Sequence, residues 1–193
     1  MMEWLSNLEK SILLWINQTN SNSIFDGLFP FYTDIHKNIW FSIPAVLILL
    51  YFFIHRFKRA GLTYFIFLAL SIGISDFAGK NIKNNFPRMR PYTVKELQIT
   101  EKSPAGPTSS FYSNHTSNMF TFATYTSQFF PAAKPLLFIL AFLTGYSRMY
   151  NGVHYPSDVL VGALMGLLIG WLCARIAKKI VYKIQLSPLE KKP

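Results

Sequence analysis

Between two apolar runs of the chain lies Ser147-Arg148-Met149-Tyr150-Asn151-Gly152-Val153-His154-Tyr155-Pro156-Ser157-Asp158, which gathers a serine, an arginine, a histidine and an aspartate where a bilayer protein normally avoids them. Ionisable groups in such a place mark function. Pro156 suits the first turn of a helix and Gly152 a helix end, so His154 falls at a junction between spans with Asp158 four residues on, within reach of its ring. A carboxylate there can fix the imidazole tautomer and leave the other nitrogen free to attack an electrophile.

Two further polar segments accompany it: Lys83-Asn84-Asn85-Phe86-Pro87-Arg88-Met89-Arg90-Pro91 and Tyr112-Ser113-Asn114-His115. A phosphate ester carries charge on its non-bridging oxygens, and catalysis of its transfer is mainly positioning and charge stabilisation. Lys83, Arg90 and Arg148 supply fixed cations for that purpose, and each arginine offers a planar fork to two oxygens at once. Two histidines with different partners, His154 and His115, can hold different protonation states, as a nucleophile and an acid require. A metal site fits these residues poorly, because cations repel a metal and carboxylates are few; no metal and no other cofactor is expected.

The elements that must position these groups follow from composition. With 193 residues, 51% hydrophobic and 17% aromatic, the chain suits one compact domain but is apolar for a soluble one, which points to a membrane. The net charge of +10 does not indicate a nucleic-acid partner, since Lys and Arg fall in short clusters between apolar runs and form no continuous basic face. Cys173, the only cysteine, lies inside an apolar run as a packed or lipid-facing thiol, and no internal disulfide is possible.

Residues 3–17 place Trp4, Leu5, Leu8, Ile12, Trp15 and Ile16 at helical spacing, with Glu3, Glu9 and Lys10 elsewhere on the wheel. This predicts an amphipathic helix on the membrane surface, one that the acidic start and missing small-residue cleavage site distinguish from a signal peptide. The aromatic stretch from Phe25 to Tyr32 reads as interfacial packing. Membrane spans are expected at about 38–55, 62–82, 115–130, 133–150 and 157–177, with a thirty-residue polar connection, Asn84 to Ser113, of the kind that carries function. Thr116, Asn118, Thr121, Thr124 and Gln128 mark the third span as one that avoids lipid, and Gly162, Gly166 and Gly170 form a face for close helix packing, within the bundle or in a dimer. The predicted fold is thus all-α: a polytopic bundle of about five transmembrane helices plus an N-terminal interfacial helix. Its divisions are an interfacial segment at 1–36, a transmembrane domain at 37–182 and a basic cytoplasmic tail at 183–193.

Alternating spans put ten cations, at Arg56, Lys58, Arg59, Lys134 and the C-terminal region, on one side and nine on the other. Five of the nine, Lys80, Lys83, Arg88, Arg90 and Arg148, belong to the polar constellation and have another reason to exist. Ten against four makes the first side cytoplasmic, and the constellation faces outward.

Together the three segments resemble the signature motifs of the type-2 phosphatidate phosphatase superfamily, which includes bacterial membrane lipid phosphatases and, more distantly, vanadium haloperoxidases. Lys83, Arg90 and Pro91 match its first motif (Lys, six residues, Arg, Pro), and Ser147, Arg148, His154 and Asp158 match its third (Ser-Arg, five residues, His, three residues, Asp). In the second, Pro-Ser-Gly-His, Ser113 and His115 match while Tyr112 replaces Pro and Asn114 replaces Gly; asparagine tolerates positive φ and can keep a glycine-type turn. The resemblance spans residues 62–177. It implies that His154 attacks phosphorus to form a phosphohistidine, that Asp158 orients it, and that His115 protonates the leaving oxygen. It also implies that Lys83, Arg90, Arg148, Ser113 and Ser147 contact the phosphate. The implied substrate is a membrane lipid phosphate at the outer leaflet of a bacterial plasma membrane, such as undecaprenyl diphosphate, lipid A or a phospholipid phosphate. The same site also serves a phosphotransferase, and the cations alone would serve a non-catalytic lipid-phosphate binder or transporter, though that reading leaves the two histidines and Asp158 unexplained. No required protein partner is evident. Outside the motifs, Lys80 and Arg88 either snorkel to headgroups or contact a second phosphate, Asp76 pairs with Lys80 one turn later, and His36 and His55 read as ordinary interfacial residues.

Overall fold

Asn22, Asn38 and Ser113 each precede a helix and turn the side chain back to accept from its first turn, at Phe25, Trp40 and Thr116 respectively. In a computed structural model, which describes residues 2–186, these caps help set an all-helical chain. The helices are α1 (Met2–Leu14), α2 (Ser23–Asp34), α3 (Ile39–Phe57), α4 (Arg59–Asn85), α5 (Asn114–Ser127), α6 (Lys134–Tyr150) and α7 (Pro156–Leu186). Pro135 and Pro156 stand in the opening turns of α6 and α7, where a missing N–H costs nothing.

Among the described residues, three helices are long and apolar enough to cross a membrane: α3, α4 and residues 156–185 of α7. The predicted spans at 115–130 and 133–150 correspond to shorter helices. The 14 residues of α5 reach only ~21 Å, against a ~30 Å hydrocarbon layer. Its hydroxyl-rich sequence is almost wholly enclosed, from Thr116 and Ser117 to Ser127, by α4, α6 and α7. Apolar side chains project outward instead from α4 (Leu62, Ile66, Leu70 and Ile74) and α7 (Leu160, Leu164 and Leu168), as lipid-facing stripes do.

The glycine face of α7 packs within the bundle. A Cβ at Gly162 would stand 2.7 Å from the Ser113 carbonyl oxygen, one at Gly166 would collide with the Ser117 carbonyl oxygen, and one at Gly170 would stand 2.7 Å from that of Thr121. These contacts seat α7 directly on the α5 backbone, while Ser75 of α4 and Ser117 of α5 bond at 2.7 Å on another side.

The expected tail boundary at 183 is not a structural break, since α7 continues to Leu186; the remainder of the tail, with Lys191 and Lys192, lies outside the described residues. The N-terminal segment keeps the predicted exposed apolar face, Trp4, Leu8, Ile12 and Trp15, but also buries Leu13, Ile16 and Asn17. Asn17 donates to the Thr100 and Tyr150 carbonyls at 2.9 and 2.8 Å and accepts from the Thr100 N–H at 3.0 Å, tying the N-terminal segment to the long connection and the end of α6. The aromatic stretch is helical, and Phe29 of α2 packs on Tyr146 and Tyr150.

Candidate active site

Lys83 ends α4 with its ammonium turned toward the segment before α5, donating to the carbonyls of Ser109 at 2.9 Å and Tyr112 at 2.6 Å. Arg90 is buried in the long connection, where Nε reaches the Gly106 and Thr108 carbonyls, both at 3.0 Å, and Nη1 the Val153 carbonyl at 3.0 Å. That last bond joins the first polar segment to the residue before His154. Arg148, in the last turn of α6, is 4% exposed, makes no ion pair among the described residues, and keeps a buried Nε without a hydrogen-bond partner.

These three cations line one cavity of about 540 Å³ with His115 and His154. Lys37 and Lys80 line it too, each held by its own carboxylate: Lys37 by Asp34 at 2.7 Å and Lys80 by Asp76 at 2.8 Å. Lys83, Arg90 and Arg148 therefore carry the uncompensated positive charge of the cavity, the electrostatics that an anionic phosphoryl group requires.

His154 sits in the short turn between α6 and α7. Gly152 shapes that turn with φ of +73°, and a Cβ there would come within 2.7 Å of the Ile99 side chain. His154 is 3% exposed and its Nδ1 lies 3.5 Å from Asp158 Oδ2, an ion-pair separation longer than a hydrogen bond. The same Oδ2 accepts from the Tyr155 N–H at 2.9 Å. Burial pushes the His154 imidazole down to about 3; the Asp158 carboxylate opposes the shift and the Arg148 charge adds to it. The free ring is therefore neutral, with an unprotonated nitrogen available as a nucleophile.

Several expected contacts fall elsewhere. Ser113 is fully buried behind the cavity wall: its N–H donates to the Asp158 carbonyl at 3.1 Å and its hydroxyl accepts from Thr116 Oγ1 at 2.9 Å. It caps α5 and couples it to α7, with its N–H already engaged. Ser147 is likewise buried, donating to the Thr144 carbonyl at 2.8 Å and pairing with Thr33 Oγ1 at 2.6 Å, so it fastens α6 to α2. Arg88 does not line the cavity; its guanidinium lies between Glu9 and Asp158. Asn114 does not adopt positive φ but begins α5, with Nδ2 donating to Asp76 Oδ1 at 3.1 Å. Lys80 reaches the cavity, and its predicted pairing with Asp76 is present.

Asp34 at the end of α2 and Lys37 just after it, whose place the sequence did not indicate, line the cavity, and His36 between them, read above as an interfacial residue, packs on a cavity residue. The ring of His36 meets that of His115 edge-on with centroids 5.4 Å apart, and its Nδ1 donates to the Thr33 carbonyl at 2.9 Å. His36 is thus no isolated interfacial histidine. Its separation from His115 along the chain hid the pairing, since no local spacing connects the turn after α2 with α5.

The chain matches the model of the PAP2 superfamily over residues 61–182. It is 30% identical to a lipid A 4'-phosphatase of Bacteroides thetaiotaomicron, covering 96% of this chain and 84% of that protein. It is also 30% identical to the putative undecaprenyl-diphosphatase YbjG of Escherichia coli, over 89% of this chain and 83% of that one. Among solved structures, a crystal structure of LpxE from Aquifex aeolicus superimposes with a TM-score of 0.70 at 28% identity, covering 86% of this chain and 93% of that one.

Proposed function

The chain belongs to the PAP2 superfamily as a multi-pass membrane lipid phosphatase, and on that premise we propose that it hydrolyses a lipid phosphate monoester or diphosphate at the outer membrane face through a phosphohistidine. The observation that carries this reading is the meeting of Lys83, Arg90, His115, Arg148 and His154, from separate parts of the chain, around one cavity. The three cations bind the non-bridging oxygens. The unprotonated ring nitrogen of His154 attacks phosphorus as the bond to the leaving oxygen breaks, and His115, protonated in the substrate complex, gives that oxygen its proton and is left neutral. Asp158 steadies the imidazolium that forms. A water, deprotonated by His115, then attacks the phosphohistidine, releasing inorganic phosphate and restoring neutral His154. No metal takes part. Lys80 stands at the rim, where it can meet a second phosphate or another headgroup group.

The names of the relatives support lipid A and undecaprenyl diphosphate as substrate classes, and the motif resemblance adds a phospholipid phosphate as a third. Under the same reading α5 and α6 complete a five-helix transmembrane unit, α1 lies in the interface, and the plasma membrane is inner in a two-membrane envelope. Phosphate release by purified protein over a panel of these three lipids names the substrate. His154→Ala is expected to abolish release on every member while the protein elutes as a folded species; undiminished turnover in that variant would exclude His154 as the nucleophile.

A further inference from the structure

Glu9 sits on the polar side of a helix whose opposite side is exposed and apolar, yet it does not face solvent. Its side chain is 16% exposed, with Oε1 accepting from Arg88 Nη2 at 2.5 Å and Oε2 from the Ser157 N–H at 3.0 Å. One carboxylate thereby grips both the arginine and the first turn of α7. Arg88 in turn donates through Nη1 to Asp158 Oδ1 at 2.7 Å and Ser157 Oγ at 2.8 Å, and its guanidinium carbon lies 4.0 Å from the Tyr155 ring centroid. Enclosing two carboxylates about one guanidinium is favourable only with this number of charge-assisted bonds, so the arrangement fixes all three groups together.

The oxygens of Asp158 are divided by this chain. Oδ1 belongs to Arg88, which leaves Oδ2 turned to the Tyr155 N–H and to Nδ1 of His154. Rotation of the carboxylate would break both contacts. Arg88 opposes that rotation, and Glu9 holds Arg88.

We propose that Glu9 is a positioning residue for the reaction: acting through Arg88, it sets the orientation of Asp158 and the net charge felt by His154, making the N-terminal helix part of the catalytic assembly. The proposal rests on the reading of His154 as nucleophile. Without the charge of Glu9, Arg88 draws on Asp158 alone and the surroundings of His154 gain one positive charge. Those surroundings already contain Lys83 of α4, Arg90 of the connection, His115 of α5 and Arg148 of α6, set against Asp158 of α7. The imidazole then becomes less basic and less well aimed.

The test uses full-length protein in detergent with dioctanoyl phosphatidate, comparing wild type, Glu9→Gln, Glu9→Asp, Arg88→Gln, the double variant Glu9→Gln/Arg88→Gln, and His154→Ala. Glutamine preserves size and an acceptor for the Ser157 N–H, so α1 stays docked and the melting temperature holds. We expect Glu9→Gln to lower kcat about tenfold with KM within about twofold, and to move the acidic limb of the kcat/KM profile to lower pH. Glu9→Asp should regain part of kcat, and the double variant should be no slower than Arg88→Gln. The proposal is overturned if Glu9→Gln matches wild type in kcat and pH profile, if its deficit equals its loss of folded protein, or if the two losses multiply in the double variant. Undiminished turnover by His154→Ala defeats the underlying reading; an inactive His154→Ala beside a fully active Glu9→Gln defeats only the role of Glu9.

Discussion

Arg148 brings a guanidinium to a site 4% exposed without an ion pair among the described residues, and its Nε has no acceptor. A buried cation left in that condition is costly unless an anion occupies the adjoining space, and the cavity beside it is bounded also by Lys83 and Arg90. His154 bears the consequence of the same burial. Its folded value of about 3 lies below the ordinary 6.5, so as pH falls through 6.5 the unfolded chain takes up the proton first. Its contribution to stability is complete above about 6.5 and declines as the pH drops toward 3. Wild-type protein should therefore lose melting temperature more steeply between those values than His154→Ala does; equal slopes would contradict the assignment. At this scale the polar lining of the cavity was legible in the sequence, because Lys83, Arg90, Arg148 and His154 announce themselves by type and spacing. The serines were not. A hydroxyl at a helix start serves equally as a ligand contact or a cap, and it is the full burial of Ser113, with the bond it accepts from Thr116, that shows the cap.

Helix α7 and helix α5 show why element identity is easier to read than element placement. The apolar length of α7 and its glycine period were visible in the sequence, whereas the choice between internal packing and dimer formation needed a partner surface. That surface is the α5 backbone at Ser113, Ser117 and Thr121. Substituting Gly166→Leu should destabilise the fold by about 1–3 kcal/mol, because a side chain there meets the Ser117 carbonyl and the Phe120 Cβ. Thermal unfolding in detergent measures this, and a melting temperature equal to wild type would mean that α5 and α7 do not approach so closely. Helix α1 was legible only on its apolar side. The role of its polar side appears only when Glu9 is found bonded to Arg88, and that of Asn17 just beyond it only when Asn17 is found bonded to Thr100 and Tyr150, over sequence separations that no periodicity links.

For the molecule as a whole, the cavity opens at the end of the bundle where the long connection, α2 and the α6–α7 turn meet, opposite the basic junction of α3 and α4. On the proposed outward orientation of the cavity, a membrane-impermeant maleimide added to intact cells should label Ala105→Cys and leave Lys58→Cys unlabelled, both in a Cys173→Ser background. Labelling of Lys58→Cys alone would invert the topology. Chain topology explains what sequence alone could and could not supply: the motifs marked most of the polar groups that line the cavity, while the meeting of His36, just after α2, with α5 and of α1 with α7 depends on contacts remote in sequence. The central claim is that His154 becomes covalently phosphorylated, and rapid quench of the enzyme with ³²P-labelled lipid phosphate tests it most directly. An acid-labile, alkali-stable label mapped to residue 154 and absent from His154→Ala is the predicted result. Wild-type turnover without such an intermediate, or equal labelling of His154→Ala, would contradict it.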